Sequence, residues 1–145
     1  MPPLVEFELD YLTELGAAGG ARRPYLWLEV TGPTGPSRSI RGLLDTGADT
    51  SSLPAQYAAL LGHNPAQVVV GQGRQISGTF PSWTWPAPLS AYVTGRPDYV
   101  FELNPTFVPG SLNAVWGRSD FLRLWEFTLD EENQQLRLRS KVQVA

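Results

Sequence analysis

The chain has 145 residues, of which 42% are hydrophobic and 17% charged, and its formal net charge is -3. This size and composition predict one folded domain over residues 1–145 and argue against extended disorder. Because no basic cluster is longer than Arg22-Arg23, binding to nucleic acid or to an anionic membrane is not expected. The absence of cysteine excludes disulfides, thiolate metal ligands and cysteine nucleophiles.

The sequence shows no membrane or targeting segment. No apolar run approaches the about 20 residues that span a bilayer, and the first residues, MPPLVEFELDYL, lack the basic start and apolar core of a signal peptide. We therefore expect a cytoplasmic protein. His63 is the single histidine, so no metal site is expected, and its Leu-Gly-His-Asn-Pro context indicates a solvated turn residue after a helix.

Frequent turn residues divide the chain into short apolar segments. Thirteen prolines and fourteen glycines separate segments rich in Val, Leu, Trp, Tyr and Phe, a layout typical of an all-β domain. Alternation in the first strand places Val5, Phe7 and Leu9 toward the core. In chain order, the predicted strands are residues 4–9, 25–30, 39–44, two strands within 68–78, then 83–93, 99–103, 112–116, 126–129 and 135–139.

Two short helical segments are predicted among these strands. Residues 52–62 have Ser52 as a candidate N-cap, Pro54 in the first turn and Gly62 at the end. Residues 119–125 are typical of a helical turn. The alternating apolar residues after position 135 predict a strand that either pairs across a symmetry axis or packs on its own subunit.

An aspartate follows directly on the predicted strand 39–44. In IRGLLDTGADT, residues 40–50, Asp45 ends an apolar run, and Thr46-Gly47 suits a tight turn. Burying a lone carboxylate is costly unless hydrogen bonds or opposite charges stabilise it. The Thr hydroxyl and the next backbone N–H groups are suitable donors. The pattern indicates a functional carboxylate, with a turn acid that caps the strand as the alternative.

Two motifs in this order resemble a known family. LLDTGADT, residues 43–50, resembles the active-site loop of the retropepsin-like (retroviral-type) aspartic proteases, and Leu53-Pro54 continues the pattern of their bacterial members. AVWGRSDFL, residues 114–122, resembles the family's Gly-Arg segment, in which a strand beside the catalytic loop enters a short helix. Between the two motifs, residues 70–73 stand where the family has its flap hairpin. The resemblance covers about residues 38–130.

The resemblance implies an all-β fold in which mostly antiparallel strands close into a small barrel with one or two short helices. It also implies a homodimer, because each chain of the family supplies one catalytic Asp and this sequence has a single Asp-Thr-Gly. Two carboxylates about 3 Å apart share one proton, so one acts as base toward a water and the other as acid toward the peptide carbonyl. The implied activity is aspartic endopeptidase cleavage of a peptide or protein, without metal or cofactor.

Each residue of the motifs takes a role by resemblance. Asp45, Thr46 and Gly47 form the catalytic triplet, in which Thr46 bridges to the other subunit's loop and Gly47 allows close backbone approach. Arg118 and Gly117 support the loop, and Arg118 forms an ion pair with an acid that also meets substrate. That acid is Asp49. Substrate binding falls to Ala48, Asp49, Gly71, Gln72 and Gly73.

Departures from the family pattern leave alternatives. Trp116 stands where the family has Ile or Leu, which predicts a bulkier cleft wall, and Gln72 stands at the expected flap tip. A catalytically silent peptide- or protein-binding module with the same fold, or pairing with a different chain, are the competing functional interpretations. Solvated charges at a helix start are the alternative for Arg118 and Asp120. Trp83 and Trp85 fit core or interface packing better than a peptide groove.

Overall fold

β-Strands dominate the computed structural model, which describes residues 4–14, 20–63, 69–75, 78–84, 87–110 and 113–141. A five-residue helix, α1 (Gln56–Leu60), and a 3₁₀ turn, Leu122–Leu124, are the helical elements of these ranges. The strands are β1 (Glu6–Asp10), β2 (Leu12–Thr13), β3 (Arg22–Arg23), β4 (Tyr25–Thr31), β5 (Ser37–Leu44), β6 (Ser52–Pro54), β7 (Val69–Gln75), β8 (Gly78–Thr84), β9 (Leu89–Val93), β10 (Phe101–Leu103), β11 (Thr106–Val108), β12 (Ala114–Trp116), β13 (Trp125–Asp130) and β14 (Gln135–Ser140).

The strands form one large sheet and two small ones. The large sheet has the order β10-β9-β4-β5-β12-β6-β11-β8-β7, and most of its neighbours are antiparallel. The exceptions are β12 beside β5 and β11 beside β6, which are parallel. The all-β prediction is confirmed. Within the described ranges none of the sheets closes on itself, so the closed barrel is not confirmed.

The small sheet β1-β14-β13 shows how alternation determines the layers. Its register aligns Phe7, Leu138 and Phe127 in one row, and Leu136 lies on the same face two residues from Leu138. Leu136 and Leu138 are buried, whereas Glu and Arg residues occupy the opposite face. The predicted hairpin 126–139 is confirmed. Asn133 closes its turn by donating its backbone N–H to a carboxylate oxygen of Asp130 at 3.1 Å.

An aromatic cluster joins this sheet to the large one. Trp125 lies edge-on to Phe7 at 5.8 Å between ring centroids and packs against Tyr99 at 5.2 Å. Phe121 lies between Trp125 and Trp116, with centroid distances of 6.0 and 6.4 Å. The segment after β12 therefore enters the core through Phe121, which fixes the end of β12 against β13.

The helix predicted over residues 52–62 is wrong in its first part. Ser52–Pro54 forms β6, which pairs in parallel with β11, and the helix begins only at Gln56. Sheet pairing with a strand distant in sequence overrides the local capping signal. The end is as predicted: Gly62 has φ of 79° and stops the helix. The helix end packs closely on the β4–β5 turn, since a Cβ on Gly32 would lie 1.7 Å from the carbonyl oxygen of Leu61.

The expectation for His63 is also wrong. His63 is 7% exposed and packs edge-on against Phe107 of β11, with 5.2 Å between ring centroids. Burial lowers the pKa of His63 below its ordinary value of 6.5. The predicted turn is present at Leu61 and Gly62, but the His63 ring follows the end of α1 into the core.

Other predictions differ in extent. The predicted strand 83–93 is two strands, β8 and β9, and the pairs β2–β3 and β6–β11 were not predicted. Trp83 is partly buried and packs against the core, in agreement with the packing interpretation, whereas Trp85 lies outside the described residues. In the part of the chain that the structure describes, no helix is long and apolar enough to cross a bilayer.

Candidate active site

The loop after β5 holds Asp45 by its backbone and by its own turn. The backbone N–H of Asp45 donates to the carbonyl of Trp116 at 3.2 Å, and its carbonyl accepts from the N–H of Ala48 at 3.2 Å. The carboxylate accepts the backbone N–H of Gly47 at 2.8 Å. Asp45 is half-buried, and Thr46 and Gly47 are exposed. The triplet therefore presents a hydrogen-bonded carboxylate at the surface of the chain.

Strand β12 lies between the two arms of this loop. It runs parallel to β5, with Trp116 opposite Leu44, and antiparallel to β6, with Val115 opposite Ser52. Gly117 follows at the point of closest approach, where a Cβ would lie 2.3 Å from the backbone carbon of Thr50. Only glycine fits there, so the role of Gly117 is to let the loop pass directly over the end of β12.

Arg118 continues this contact on the outside of the loop. Its guanidinium forms a hydrogen-bonded ion pair with Asp49, as the sequence predicted. The backbone N–H groups of Arg118 and Ser119 donate to the carbonyls of Ala48 and Asp49 at 3.0 and 2.8 Å. The Asp49 and Arg118 side chains are 89% and 58% exposed, so this ion pair lies at the surface of the chain.

A buried acid beneath the loop was missed by the sequence argument. Asp120 is 3% exposed and accepts hydrogen bonds from the backbone N–H and the hydroxyl of Ser51, at 3.0 and 2.8 Å. Solvated charge was the alternative considered for Asp120, and it is wrong. The signal was the spacing of an acid between Arg118 and the apolar Phe121, which places it on the turn that enters the core.

Trp116 does not widen the cleft wall. Its side chain is 0% exposed, and its indole N–H donates to the carbonyl of Leu26 at 2.9 Å. The ring lies over Gly42, where a Cβ would meet Cε2 of the indole at 2.4 Å. The prediction of a bulkier cleft wall is therefore wrong, because alternation along β12 turns Trp116 to the core and Val115 to the other face.

The structure brings the loop residues together but places the flap candidates elsewhere in the sheet. Asp45 to Asp49, Gly117 and Arg118 form one continuous cluster. Gly71, Gln72 and Gly73 lie inside β7, the edge strand of the large sheet, and Gln72 is opposite Pro81 of β8. Gln72 was predicted to lie at a hairpin tip, and this prediction is wrong. The connection between β7 and β8, residues 76–77, lies outside the described residues.

Comparison with solved structures gives the class of this fold. A retropepsin-like aspartic protease from Rickettsia conorii matches with a TM-score of 0.59 and 17% identity, over 97% of this chain and 94% of that chain. EIAV protease, in complex with an inhibitor, matches with a TM-score of 0.48 and 19% identity, over 70% of this chain and 88% of that chain. No family model and no curated protein sequence matches the chain. The chain has the retropepsin-like fold.

Proposed function

We propose that the chain is an aspartic endopeptidase that acts as a homodimer, with one Asp45 from each subunit in the catalytic pair. The observation that carries the proposal is the Asp45 loop, which holds its carboxylate with Gly47, encloses the end of β12 and pairs with Arg118 within a retropepsin-like fold. One subunit supplies one such carboxylate, whereas general acid and general base catalysis at one peptide bond needs two.

The mechanism follows from bringing two Asp45 carboxylates within about 3 Å, where they hold one proton between them. The ionised member takes a proton from a water, and the water oxygen attacks the peptide carbonyl carbon. The protonated member donates to the carbonyl oxygen. Collapse of the tetrahedral intermediate breaks the C–N bond, and the proton taken from water passes to the leaving amine. The proton that was donated to the carbonyl oxygen returns to the second carboxylate, so the pair regains its single proton. No metal or cofactor takes part.

The exposed residues of the loop are proposed to act beyond the subunit. Thr46 bridges to the second loop, and Gly47 allows the two loops to approach. Ala48 and Asp49 bind the substrate backbone. Flap residues, proposed to bind substrate from above, are Gly71, Gln72 and Gly73, although they lie within β7 rather than at its end.

The open edge of β13 is the proposed dimer contact. Both edges of β14 are paired within the subunit, to β1 and β13, so β14 does not pair across an axis. Strand β13 has a free edge in the described sheet and carries Phe127, which is 38% exposed. Antiparallel pairing centred on Phe127 sets Glu126 opposite Thr128, whereas a register centred on Thr128 sets Glu126 opposite Asp130. The first register avoids facing like charges.

Residues 1–145 act as a single domain in the cytoplasm, on peptide or protein substrates. The large sheet and the small sheet β1-β14-β13 together close into a small barrel around the core.

Cleavage of an unfolded protein mixture across about pH 3 to 7 tests the function. We expect cleavage on the acid side that disappears in Asp45→Asn and falls faster than linearly on dilution. Asp10→Asn is the matched control, because it makes the same chemical change at an exposed position of β1. An intact dimer in which neither the native chain nor the control cleaves any protein would refute the proposal and favour the binding module.

A further inference from the structure

Asp120 is a buried carboxylate held by neutral donors. Its Oδ1 accepts from the backbone N–H and the hydroxyl of Ser51, and its Oδ2 accepts the backbone N–H of Asn104 at 3.1 Å. It takes part in none of the ion pairs of the described residues. Burying a carboxylate is unfavourable unless such donors stabilise it. An amide or apolar residue would avoid that cost, so the use of an acid here needs an explanation.

The partners of Asp120 connect three separate segments of the chain. Ser51 ends the Asp45 loop, is fully buried, and accepts the backbone N–H of Gly117 on its hydroxyl at 3.0 Å. The Ser51 carbonyl accepts the N–H of Thr106, the first residue of β11. Asn104 lies in the connection between β10 and β11. Asp120 therefore connects the end of the loop to the end of β12 and to this connection.

Both ends of the Asp45 loop are thus hydrogen-bonded to two adjacent residues, Trp116 and Gly117, at the end of β12. At the first end the N–H of Asp45 donates to the carbonyl of Trp116, and at the second end Ser51 holds the N–H of Gly117. The second anchor depends on Asp120, because Asp120 accepts both donors of Ser51 and so orients its hydroxyl oxygen toward Gly117. Losing Asp120 frees the second anchor while leaving the first in place.

We propose that Asp120, acting through Ser51, is a positioning residue for the Asp45 carboxylate. This inference rests on the proposed function in taking Asp45 as the catalytic group. A displacement of about 1 Å at a reacting group can cost about 100-fold in rate, so a buried anchor acts on turnover without touching substrate.

Two substitutions test the anchor. Asp120→Asn keeps the size of the side chain but has one acceptor oxygen where the carboxylate has two, so the donors of Ser51 and Asn104 are not all satisfied. Ser51→Ala is milder and removes the hydroxyl that accepts from Gly117. Ser140→Ala is the matched control, because Ser140 is also buried and its hydroxyl accepts a backbone N–H, that of Val5 at 2.9 Å, away from the loop.

Backbone hydrogen exchange gives a result that does not depend on activity. The reporter amides are Gly47, Ala48 and Arg118, whose N–H groups bond to the carboxylate of Asp45, the carbonyl of Asp45 and the carbonyl of Ala48. We expect both test variants to exchange these amides at least about tenfold faster, and Ser140→Ala to leave them unchanged. Faster exchange confined to the amides of Ser51, Asn104 and Gly117 would overturn the inference.

Kinetics separate positioning from general stability. In Asp120→Asn we expect kcat to fall about 10- to 100-fold with KM nearly unchanged, measured well below the unfolding temperature at a concentration that keeps the dimer. An unchanged kcat per folded chain would overturn the inference even if the unfolding temperature falls. If the native chain cleaves nothing, the proposed function fails, and the exchange measurement still decides whether Asp120 orders the loop.

Discussion

Replacing Gly42 by alanine tests how the strands that carry the site are packed. Gly42 lies in β5, opposite Ala114 of β12, and an added Cβ would approach the Trp116 indole to 2.4 Å at Cε2 and 2.5 Å at Nε1. Overpacking of this kind costs about 1–3 kcal/mol. If the ring shifts away, the buried hydrogen bond to the Leu26 carbonyl at 2.9 Å is lost, which costs about 1–3 kcal/mol more. We expect Gly42→Ala to lower the free energy of unfolding by about 2–6 kcal/mol.

A double-mutant cycle identifies the indole as the cause. In the Trp116→Leu background the added methyl meets no ring, so Gly42→Ala should cost at least about 2 kcal/mol less there than in the native chain. Gly95→Ala is the control: nothing lies within 4 Å of its added Cβ, but its φ of 93° strains alanine. That penalty should be the same in both backgrounds.

Urea unfolding followed by circular dichroism measures the native chain and all five variants. The chain concentration must be held constant, because dissociation of a dimer would make the midpoint depend on it. A Gly42→Ala penalty below about 0.5 kcal/mol, or one that Trp116→Leu leaves unchanged, would refute the packing argument.

Further predictions concern titration and the exposed ion pair. Burial lowers the pKa of His63, so as the pH drops below 6.5 the unfolded chain protonates this ring before the folded chain does, and stability falls. We expect His63→Gln to reduce this loss of stability, measured as the urea midpoint against pH. An equal slope in the variant and the native chain would contradict the prediction. Burial and the hydrogen bond to Glu131 raise the pKa of Tyr11 to about 12, so stability falls between pH 10 and 12, and Tyr11→Phe should remove this loss in alkaline melts. Arg118→Lys loses the planar fork that faces Asp49, and we expect lower protease activity with the urea midpoint almost unchanged; equal activity would remove the role of the fork.

The elements predicted correctly are those whose alternation is local. β4 and the β13–β14 hairpin alternate apolar and other residues along most of their length, β5 does so from Ile40 onward, and each overlaps the strand predicted there. Two of the wrong predictions depend on partners distant in sequence. Residues 52–54 form a strand instead of the first turn of a helix because β6 pairs with β11, and His63 is buried because Phe107 of β11 lies against it.

The site was predictable to the same degree. The Asp45 triplet and the Asp49–Arg118 pair follow from motifs, since both partners of the pair stand within recognised segments. The role of Asp120 does not follow, because nothing in its own segment reveals Ser51 and Asn104 as donors. The direction of Trp116 was readable, since alternation along β12 places it on the same face as the buried Ala114.

The Asp45 loop has buried hydrogen bonds on one side and an exposed ion pair on the other, and the two differ in how much they stabilise it. An exposed ion pair contributes about 0–1 kcal/mol, so the pair between Asp49 and Arg118 is too weak to hold the loop in the single subunit. The buried hydrogen bonds of Asp120 and Ser51, and the passage over Gly117, are sufficient to hold it without that pair. The exposed charges are therefore available for contacts outside the subunit. A loop built in this way is held from below and open above, which agrees with the proposal that a second chain and a substrate complete the site.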